Sequence, residues 1–279
     1  MNHEISGMTA IVTGAGSAGA GIGNGRASAV RLAEEGARVA LLDVTDSNLE
    51  TKEMIEGRGG ECETFLCDVT DPKAAEEVVS RIHEQWGRVD ILVNNVGIAG
   101  PPGTVEDVDL DAWDRCLAVN LTSMVVMSRF AVPRMVRSGG GSIVNMSALA
   151  GLRGGHASIA YATTKGAIVN LTQAMASHHG HQGIRVNAVA PGPVFTPMVA
   201  VHGIDQAMRD VRASSTLLGT EGTAWDVAEA VLYLASPAAR WVTGVVLPVD
   251  GGLSSFSSAT RVSITEAGAT AASAIDRSS

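Results

Sequence analysis

Short apolar runs alternate with longer amphipathic segments along nearly the whole chain. Residues 8–13 form a short apolar run, and residues 26–36 then carry apolar side chains at helical spacing before closing on Gly36. Short apolar runs predict buried strands, whereas helical spacing predicts amphipathic helices. Because a helix separates successive strands, we expect the strands to run parallel with right-handed crossovers. The pattern predicts an α/β fold, a doubly wound parallel sheet of about seven strands with helices on both faces.

The same alternation continues to residue 249 and shows no internal linker. We therefore expect a single domain over residues 1–255 and a Ser-, Ala- and Thr-rich C-terminal tail over residues 256–279. The predicted strands cover residues 8–13, 38–43, 63–67, 89–93, 142–146, 184–190 and 245–249, and the predicted helices cover residues 26–36, 73–86, 113–136, 161–179 and 223–235.

Charge and composition narrow the classes of function. The net charge of −9, with no basic block, argues against a nucleic-acid partner. No apolar run approaches the roughly 18 residues that suggest a membrane span, and no basic start followed by an apolar stretch suggests a secretory signal. The three cysteines show no CxxC spacing, and the histidines at 178, 179 and 181 have no evident carboxylate partner. We expect a cytoplasmic protein without a metal site, a membrane partner or a nucleic-acid partner.

A glycine-rich loop follows the first predicted strand. Residues 13–25 read TGAGSAGAGIGNG and lead directly into a predicted helix. Glycines allow a sharp turn and a close approach to a pyrophosphate, and the helix presents free N–H groups and the positive end of its dipole. The strand–loop–helix context is typical of a Rossmann-like dinucleotide site.

Asp43 ends the second predicted strand, 18 residues after Gly25. A carboxylate at this place can accept hydrogen bonds from the adenosine ribose hydroxyls and would repel a 2′-phosphate, which favours NAD over NADP. Arg26 is the counter-argument, because a basic side chain near the loop can meet that phosphate. We favour the alternative in which Arg26 is a solvated residue of the first helical turn.

Tyr161, Lys165 and Ser147 are the candidate catalytic groups. Tyr161 and Lys165 lie one helical turn apart and share a helix face. The pKa of a free tyrosine is about 10, and a nearby ammonium together with a positive cofactor charge is expected to lower it. Ser147 follows the predicted strand over 142–146, where a loop at the carboxyl end would place its hydroxyl over the cofactor.

Taken together, these motifs resemble the short-chain dehydrogenases/reductases of the classical type. The resemblance covers about residues 7–252. The motifs that carry it, in order, are the glycine loop at 13–25, CDV at 67–69, NNVG at 94–97, Asn120, Ser147, YATTK at 161–165, PGPVFTPM at 191–198 and VDGG at 249–252.

The resemblance implies roles for individual residues. Tyr161 would be the general acid/base, Lys165 would lower its pKa and hold the nicotinamide ribose, and Ser147 would polarise the substrate oxygen. Asn120 would hold a water in the proton relay. The implied NAD contacts, in which Asp68 and Val69 face the adenine, are Gly14, Ser17, Gly23, Asn24, Gly25, Asp43, Asp68, Val69, Asn94, Asn95, Gly97, Tyr161, Lys165, Pro191, Gly192, Val194 and Thr196.

The chain departs from the family pattern at three places. The glycine loop is longer than usual, so it is expected to bulge and its phosphate contacts stay open. Val96 replaces the usual alanine, and the spacing of 14 residues between Ser147 and Tyr161 is one more than is common. The extra residue lies in the loop that should border the substrate.

The substrate side is expected to combine that loop with a lid over residues 195–219. Arg153 and His156 lie in the loop and could bind an acidic or hydroxylated substrate, although an exposed flexible loop is the simpler interpretation. Phe195 begins the lid, and Ser147 and Tyr161 complete the predicted substrate contacts.

The predicted function is NAD-dependent hydride transfer between the nicotinamide and a secondary alcohol or ketone, a small molecule. The resemblance implies a homotetramer or dimer with the predicted helices 113–136 and 161–179 at one interface. Two alternatives remain open: a nucleotide-binding regulator without turnover, and an epimerase or dehydratase. The second would need an additional acid or base, for which the sequence offers no clear candidate and leaves only His156 open.

Overall fold

The computed structural model describes residues 4–201 and 203–256. Its main sheet has seven parallel strands in the order β3-β2-β1-β4-β5-β6-β9, and a small parallel pair joins β7 to β8. The strands are β1 (Thr9–Thr13), β2 (Arg38–Asp43), β3 (Glu61–Leu66), β4 (Ile91–Asn94), β5 (Gly141–Met146), β6 (Ile184–Pro191), β7 (Val194–Phe195), β8 (Gly222–Thr223) and β9 (Val246–Val249).

Helices cover both faces of this sheet. They are α1 (Asn24–Glu34), α2 (Asn48–Glu56), α3 (Pro72–Trp86), α4 (Leu110–Leu117), α5 (Ser123–Arg137), α6 (Ile159–His179), α7 (Pro197–Ala200), α8 (Gln206–Ser214) and α9 (Ala224–Ala235). The predicted doubly wound α/β fold with seven strands is confirmed. The predicted tail, apart from Phe256, lies outside the described residues.

The core consists of two apolar layers, one on each side of the sheet. On β1, Ala10 and Val12 face one layer and Ile11 faces the other, and all three are fully buried. This alternation follows from the two-residue period of a strand, and burial on both faces explains why the strand is a continuous apolar run.

Local signals begin and end the helices at defined residues. Asp71 precedes Pro72, the first residue of α3, and its side chain accepts a hydrogen bond from the Lys73 N–H. Gly87 ends α3 at a φ of 77°. The Ser158 hydroxyl accepts the Tyr161 N–H at 3.1 Å and so begins α6. Thr223 and Asp226 form a reciprocal capping box on α9. These caps satisfy N–H groups that a helix leaves unpaired.

Three helices, α2, the four-residue α7 and α8, lie outside the predicted helices, and one predicted helix is interrupted. α2 and α8 are short and mostly polar, so their apolar period is weak. The predicted helix over 113–136 is α4 and α5 joined by a π-helical turn, Ala118–Thr122. A π turn adds a residue without changing the apolar pattern enough to be visible in sequence.

Within the described residues, one helical stretch, Leu110–Arg137, is long and apolar enough to cross a membrane by length and composition. Half of its apolar window is buried inside the protein. Met124, Met127 and Met135 are among its core residues. Core helices of α/β proteins meet the same criterion, so the finding carries little weight.

Candidate functional site

The candidate site lies where the strand order reverses. β1 and β4 are neighbours at this point. After β1 the sheet continues through β2 and β3 on one side, and after β4 it continues through β5 and β6 on the other. In open α/β sheets the carboxyl ends of the strands at such a point form a crevice that binds ligands. Thr13, Asn94 and Met146 are the last residues of β1, β4 and β5, so the loops that follow them meet here.

Asn95 fastens the glycine loop to the end of β4. Its Nδ2 donates to the carbonyl oxygens of Thr13 and Gly14, each at 3.1 Å, and its backbone N–H donates to the Thr13 hydroxyl at 3.0 Å. Gly14 has a φ of 63°, which only glycine adopts at low cost. The predicted cofactor residues Gly14 and Asn95 therefore belong to one rigid corner.

Gly16 and Gly25 leave no room for a side chain. A Cβ on Gly25 would lie 2.0 Å from the Gly14 carbonyl oxygen, and a Cβ on Gly16 would lie 2.0 Å from the Ser47 Oγ. α1 starts at Asn24 after Gly23, which has no side chain to cap the helix. The loop thus brings backbone N–H groups and a helix N-terminus to the crevice, as a phosphate site requires.

The lengthened part of the loop is held by its own backbone and by the start of α2. The Ser17 hydroxyl donates to the Gly19 carbonyl at 2.7 Å, and the Ser17 N–H donates to the Ser47 Oγ at 3.1 Å. The Oδ1 of Asn24 is buried and has no hydrogen-bond partner among the described residues. Asn24 is therefore a polar group at the start of α1 whose oxygen the described residues leave unpaired.

Asp43 stands beside this loop, as predicted. Its Oδ2 accepts the Gly16 N–H at 2.9 Å, and its Oδ1 accepts the Thr45 N–H and hydroxyl, each at 3.1 Å. The carboxylate is thereby oriented toward the loop.

The interpretation of Arg26 as a solvated residue is wrong. Arg26 is 3% exposed. Its guanidinium donates to the Thr51 hydroxyl and to the carbonyl oxygens of Gly21 and Ser47, at 3.1, 2.9 and 3.0 Å, and it pairs with Glu50 at 2.7 Å. Every nitrogen of the guanidinium is engaged, so Arg26 anchors the glycine loop to α2.

Ser147, Tyr161 and Lys165 come together at the carboxyl end of β5. The Ser147 hydroxyl donates to the Lys165 carbonyl at 2.8 Å, and the Lys165 Nζ donates to the Met146 carbonyl at 2.7 Å. The Nζ lies 5.6 Å from the centroid of the Tyr161 ring. Gly97 lies beside them, because a Cβ there would be 3.4 Å from the Lys165 Nζ and from the Asn120 Oδ1.

Burial moves the pKa values of these two groups toward their neutral forms. The pKa of Lys165 is lowered to about 8 by burial. The pKa of Tyr161 is raised to about 12, chiefly by burial and secondarily by Cys116. Among the protein's own atoms burial is the dominant influence on the Tyr161 pKa, so the expected lowering by Lys165 together with a positive cofactor charge stays a prediction.

The Asn120 side chain is committed to protein atoms. It accepts the Ile98 N–H at 2.7 Å and donates toward the Ile98 carbonyl, the Cys116 sulfur and the Thr164 hydroxyl at 2.9, 3.3 and 3.2 Å. Asn120 lies in the π-helical turn. The amide thus anchors the segment after β4, and a contact to a water would have to come from its backbone carbonyl.

One predicted cofactor contact needs correction. The Asn94 side chain is 1% exposed, and its Nδ2 donates to the Asn145 Oδ1 at 2.9 Å and to the Ser128 hydroxyl at 3.3 Å. It joins β4 to β5 and α5 inside the core. The Asn95 side chain turns instead toward Thr13 and Gly14, because neighbouring side chains along a strand point to opposite sides.

The remaining predicted cofactor residues lie at the rim of the crevice. Asp68 is exposed after β3, and hydrogen bonds from Thr70 hold its pKa below the usual value. Val69 next to it is buried. Gly192 packs against Asp250, 2.5 Å from where its Cβ would lie. The residues that line this last segment in order are Pro191 at the end of β6, Gly192, the buried Val194 of β7, and Thr196 ahead of α7.

The predicted substrate residues have different surroundings. The His156 ring packs on the Tyr161 ring with centroids 4.7 Å apart. Phe195 lies under the Arg209 guanidinium of the lid at 3.9 Å. Arg153 instead donates to the Ser254 and Phe256 carbonyls, so it ties the substrate loop to the C-terminal segment.

The sequence analysis missed two groups at the site. Cys116 and Thr164 both contact Asn120, and Cys116 precedes Asn120 by one helical turn, a spacing that could have indicated the contact. The buried Glu221 joins Arg209 and Arg212 of α8, and no sequence spacing predicts this pair of contacts.

A cavity of about 500 Å³ opens near β9, beside β7. Val194, Thr216, Glu221 and Asp250 are among its lining residues. None of Ser147, Tyr161 and Lys165 lines it, so we place the chemistry at those three residues and not in the cavity.

The chain is similar to known proteins along most of its length. A family model described as enoyl-(acyl carrier protein) reductase matches residues 16–254. The 3-oxoacyl-(acyl-carrier-protein) reductase of Thermotoga maritima is 36% identical over 252 residues, covering 90% of this chain and 99% of the relative. The meso-2,3-butanediol dehydrogenase of Serratia marcescens is 36% identical and covers 84% of this chain and 91% of the relative.

Solved structures show the same fold. A protein described as a short-chain dehydrogenase/reductase from Burkholderia xenovorans has a TM-score of 0.87 and 40% identity, covering 91% of this chain and 98% of that one. A 7α-hydroxysteroid dehydrogenase complexed with NADH has a TM-score of 0.83 and 32% identity, covering 90% and 96%. A protein described as an NAD(P)-dependent gluconate 5-dehydrogenase from Beutenbergia cavernae, with bound NADP, has a TM-score of 0.84 and 37% identity, covering 92% and 100%.

These relatives share the fold along nearly their whole length, and their names are those of dehydrogenases and reductases that act at alcohol or ketone groups. The chain belongs to the short-chain dehydrogenase/reductase family and is an oxidoreductase that transfers a hydride between a nicotinamide cofactor and an alcohol or ketone.

Proposed function

We propose that this protein oxidises a secondary alcohol with NAD, and reduces the matching ketone, with Tyr161 as the general acid/base. The observation that carries the proposal is the grouping of Ser147, Tyr161 and Lys165 beside the corner that Asn95 fastens. One reacting oxygen can meet the serine and the tyrosine while its carbon faces the glycine loop side of the crevice.

The residues of the crevice fit a nicotinamide dinucleotide. Gly16 and Gly25 have no room for a side chain, so the backbone of the loop and the N-terminus of α1 can approach a pyrophosphate closely. Asp43 would hold the adenosine ribose, and Asp68 with Val69 would border the adenine. When bound, the nicotinamide ring accepts the hydride from the carbinol carbon, or returns it to a ketone.

Two features support NAD over NADP. Asp43 places a carboxylate next to Gly16, where a 2′-phosphate would meet like charge. Arg26, the cation that could have offset this charge, has all its nitrogens engaged with Gly21, Ser47, Thr51 and Glu50. Relatives in this family bind either cofactor, so the preference rests on these two residues.

The proton step follows from the positions of the side chains. In the free protein the Ser147 hydroxyl donates to the Lys165 carbonyl, and rotation of this hydroxyl toward the substrate would let it donate a hydrogen bond to the reacting oxygen instead. The Tyr161 phenolate takes the hydroxyl proton as the carbinol C–H bond breaks, and a neutral Tyr161 returns it in the reverse direction. Because burial raises the pKa of Tyr161 to about 12, a positive charge is needed to form the phenolate near neutral pH.

The cationic form of Lys165 supplies part of that charge below about pH 8, its pKa in the buried site. The remainder is expected from the oxidised nicotinamide. Lys165 also carries an Nζ fixed by Met146, which positions it to hold a ribose hydroxyl. The Tyr161 phenolate that alcohol oxidation requires is therefore expected to form only when the oxidised cofactor is bound.

The test is absorbance at the reduced-nicotinamide band while purified protein receives a panel of secondary alcohols with NAD, then with NADP. Accumulation of NADH that disappears in Tyr161→Phe supports the proposal. NAD binding without turnover of any alcohol or ketone would contradict it, and a preference for NADP would contradict the role of Asp43.

We also propose that copies of the chain associate through α4, α5 and α6. Leu110 and Val125 are apolar yet 70% and 46% exposed on these helices, which suits a surface that a second copy covers. Sedimentation velocity tests this. A homotetramer or dimer that Val125→Glu disrupts supports the proposal, and a monomer at micromolar concentration contradicts it.

A further inference from the structure

His156 lies on the exposed loop before α6, and its ring packs against the acid/base Tyr161. Ser158, which is buried and begins α6, fixes it through the backbone. Ser158 itself pairs with Gly103 in a bridge that joins the substrate loop to the segment after β4. The imidazole is therefore anchored at both its backbone and its ring.

The contacts of the ring decide which nitrogen carries a proton. The His156 Nδ1 lies 3.1 Å from the Ser158 N–H and 3.3 Å from the Ser158 carbonyl oxygen. A neutral imidazole accepts the N–H at Nδ1 and therefore carries its proton on Nε2. A protonated imidazole donates Nδ1–H to the carbonyl and also carries a proton on Nε2.

The Nε2 of His156 is consequently a hydrogen-bond donor in both charge states. This geometry disfavours His156 as the additional base that an epimerase or dehydratase would need, because accepting a proton at Nε2 would first require the other tautomer and the loss of the Ser158 N–H contact. A fixed donor instead suits a fixed acceptor on the substrate.

The distance to Tyr161 limits where that acceptor lies. The two rings pack side by side, with centroids 4.7 Å apart and an angle of 30° between their planes. The two side chains thus form one wall, and a substrate whose carbinol oxygen meets Tyr161 presents its neighbouring atoms to His156. An oxygen on the carbon next to the carbinol is the simplest acceptor for a side chain that packs directly on Tyr161.

We propose that His156 is a specificity-determining residue that binds a second substrate oxygen on the carbon next to the carbinol. The substrate class is then a vicinally oxygenated secondary alcohol, such as a 1,2-diol or an α-hydroxy ketone. The inference rests on the proposed alcohol dehydrogenase function of the same site and names its substrate class.

The experiment compares matched substrates on matched variants of the full-length protein. The substrates are cyclohexane-1,2-diol, cyclohexane-1,4-diol and cyclohexanol, assayed with NAD. His156→Phe keeps the ring packing on Tyr161 but removes the donor, and His156→Gln keeps a donor. The readouts are kcat and KM for each substrate, and the dissociation constant of each diol for the protein–NADH complex by calorimetry.

We expect wild-type protein to prefer the 1,2-diol over both other substrates. In His156→Phe the ratio of kcat/KM for the 1,2-diol to that for cyclohexanol should fall about 10-fold to 100-fold, the effect of losing one hydrogen bond from a polar group in a binding site. His156→Gln should recover most of the ratio, and the dissociation constants should change in parallel.

An unchanged ratio in His156→Phe would overturn the role of His156 while leaving the dehydrogenase function intact. Equal loss of the ratio in both variants would also overturn it, because packing alone would then explain the effect. If no alcohol is oxidised at all, the proposed function fails, and calorimetry still decides whether His156 selects the 1,2-diol.

Discussion

The Lys165 Nζ lies 5.6 Å from the centroid of the Tyr161 ring and donates its hydrogen bond to the Met146 carbonyl instead. Lysine and tyrosine thus lie close together inside a buried pocket that disfavours both charges. The pKa of Tyr161 is raised to about 12 and that of Lys165 is lowered to about 8. The acid/base is therefore poised in its neutral form until positive charge arrives with the cofactor.

Tyr161→Phe should lower kcat/KM for alcohol oxidation by about 10²-fold to 10⁴-fold, the usual contribution of a general acid/base. Steady-state absorbance of NADH measures this, and calorimetry should show that NAD still binds. The chain has two tyrosines, so Tyr233→Phe is a matched control, since Tyr233 lies on α9 away from the site. Similar activity of the two variants would exclude Tyr161 as the acid/base.

The pH dependence of the reaction should follow the same pair. Oxidation requires the Tyr161 phenolate, so kcat/KM for the alcohol should rise with pH until the operating pKa of Tyr161 is passed. Lys165→Met removes a positive charge, so the rise should move to higher pH. A pH–rate profile measures both. Superimposable profiles would show that the ammonium does not act on the phenol.

Lys165 also predicts how stability depends on pH. Its folded pKa of about 8 is below the usual 10.5, so between these values the unfolded chain binds more protons. The contribution of Lys165 to stability therefore rises as pH increases from about 8 to 10.5, and below pH 8 burial costs at most about 3 kcal/mol.

Lys165→Met removes this penalty. Urea unfolding should show Lys165→Met gaining most relative to wild type below about pH 8, and the difference should shrink toward pH 10.5. The lost hydrogen bond to Met146 shifts the difference by a constant amount and leaves its slope unchanged. A difference that does not vary with pH would contradict the burial of a charged lysine.

Asp43→Ser should relax the preference for NAD. The variant keeps a small acceptor for the Gly16 N–H but removes the charge that opposes a 2′-phosphate. We expect the ratio of kcat/KM for NAD to that for NADP to fall roughly 10-fold to 100-fold, the size of one charge–charge or charge-assisted contact. Steady-state kinetics with both cofactors measure it, with Asp46→Ser as a nearby charge control. An unchanged ratio would assign selectivity to other residues.

Gly25→Ala should disable the cofactor loop. The added Cβ would lie 2.0 Å from the Gly14 carbonyl oxygen and 2.4 Å from the Asn95 Nδ2, so the corner must open. Overpacking of this kind costs roughly 1–3 kcal/mol or more, and NAD affinity should fall with it. Thermal unfolding and calorimetry measure the two effects. Gly180→Ala, where a Cβ meets nothing within 4 Å, should leave both unchanged.

The order of residue types along the chain by itself determined the fold class, the place of the cofactor loop and the candidate catalytic residues. The period of apolar residues gave the parallel sheet, because strands buried on both faces must be apolar throughout and helices must be amphipathic. Glycine spacing located the cofactor loop, since a close approach of two backbones excludes side chains, as at Gly25. Tyr161, Lys165 and Ser147 could be predicted because their one-turn spacing and strand-end position stand in the motif order of the short-chain dehydrogenases/reductases.

Only the tertiary structure decided what each side chain faces. The buried anchor role of Arg26, the inward side chain of Asn94 and the pKa of Tyr161 depend on segments far apart in sequence, such as α2 and β5. The same is true of the contact between His156 and Tyr161, which is fixed by a bridge from Ser158 to Gly103. Desolvation and hydrogen bonding depend on which atoms surround a group, and a local pattern carries that information only after the chain has folded.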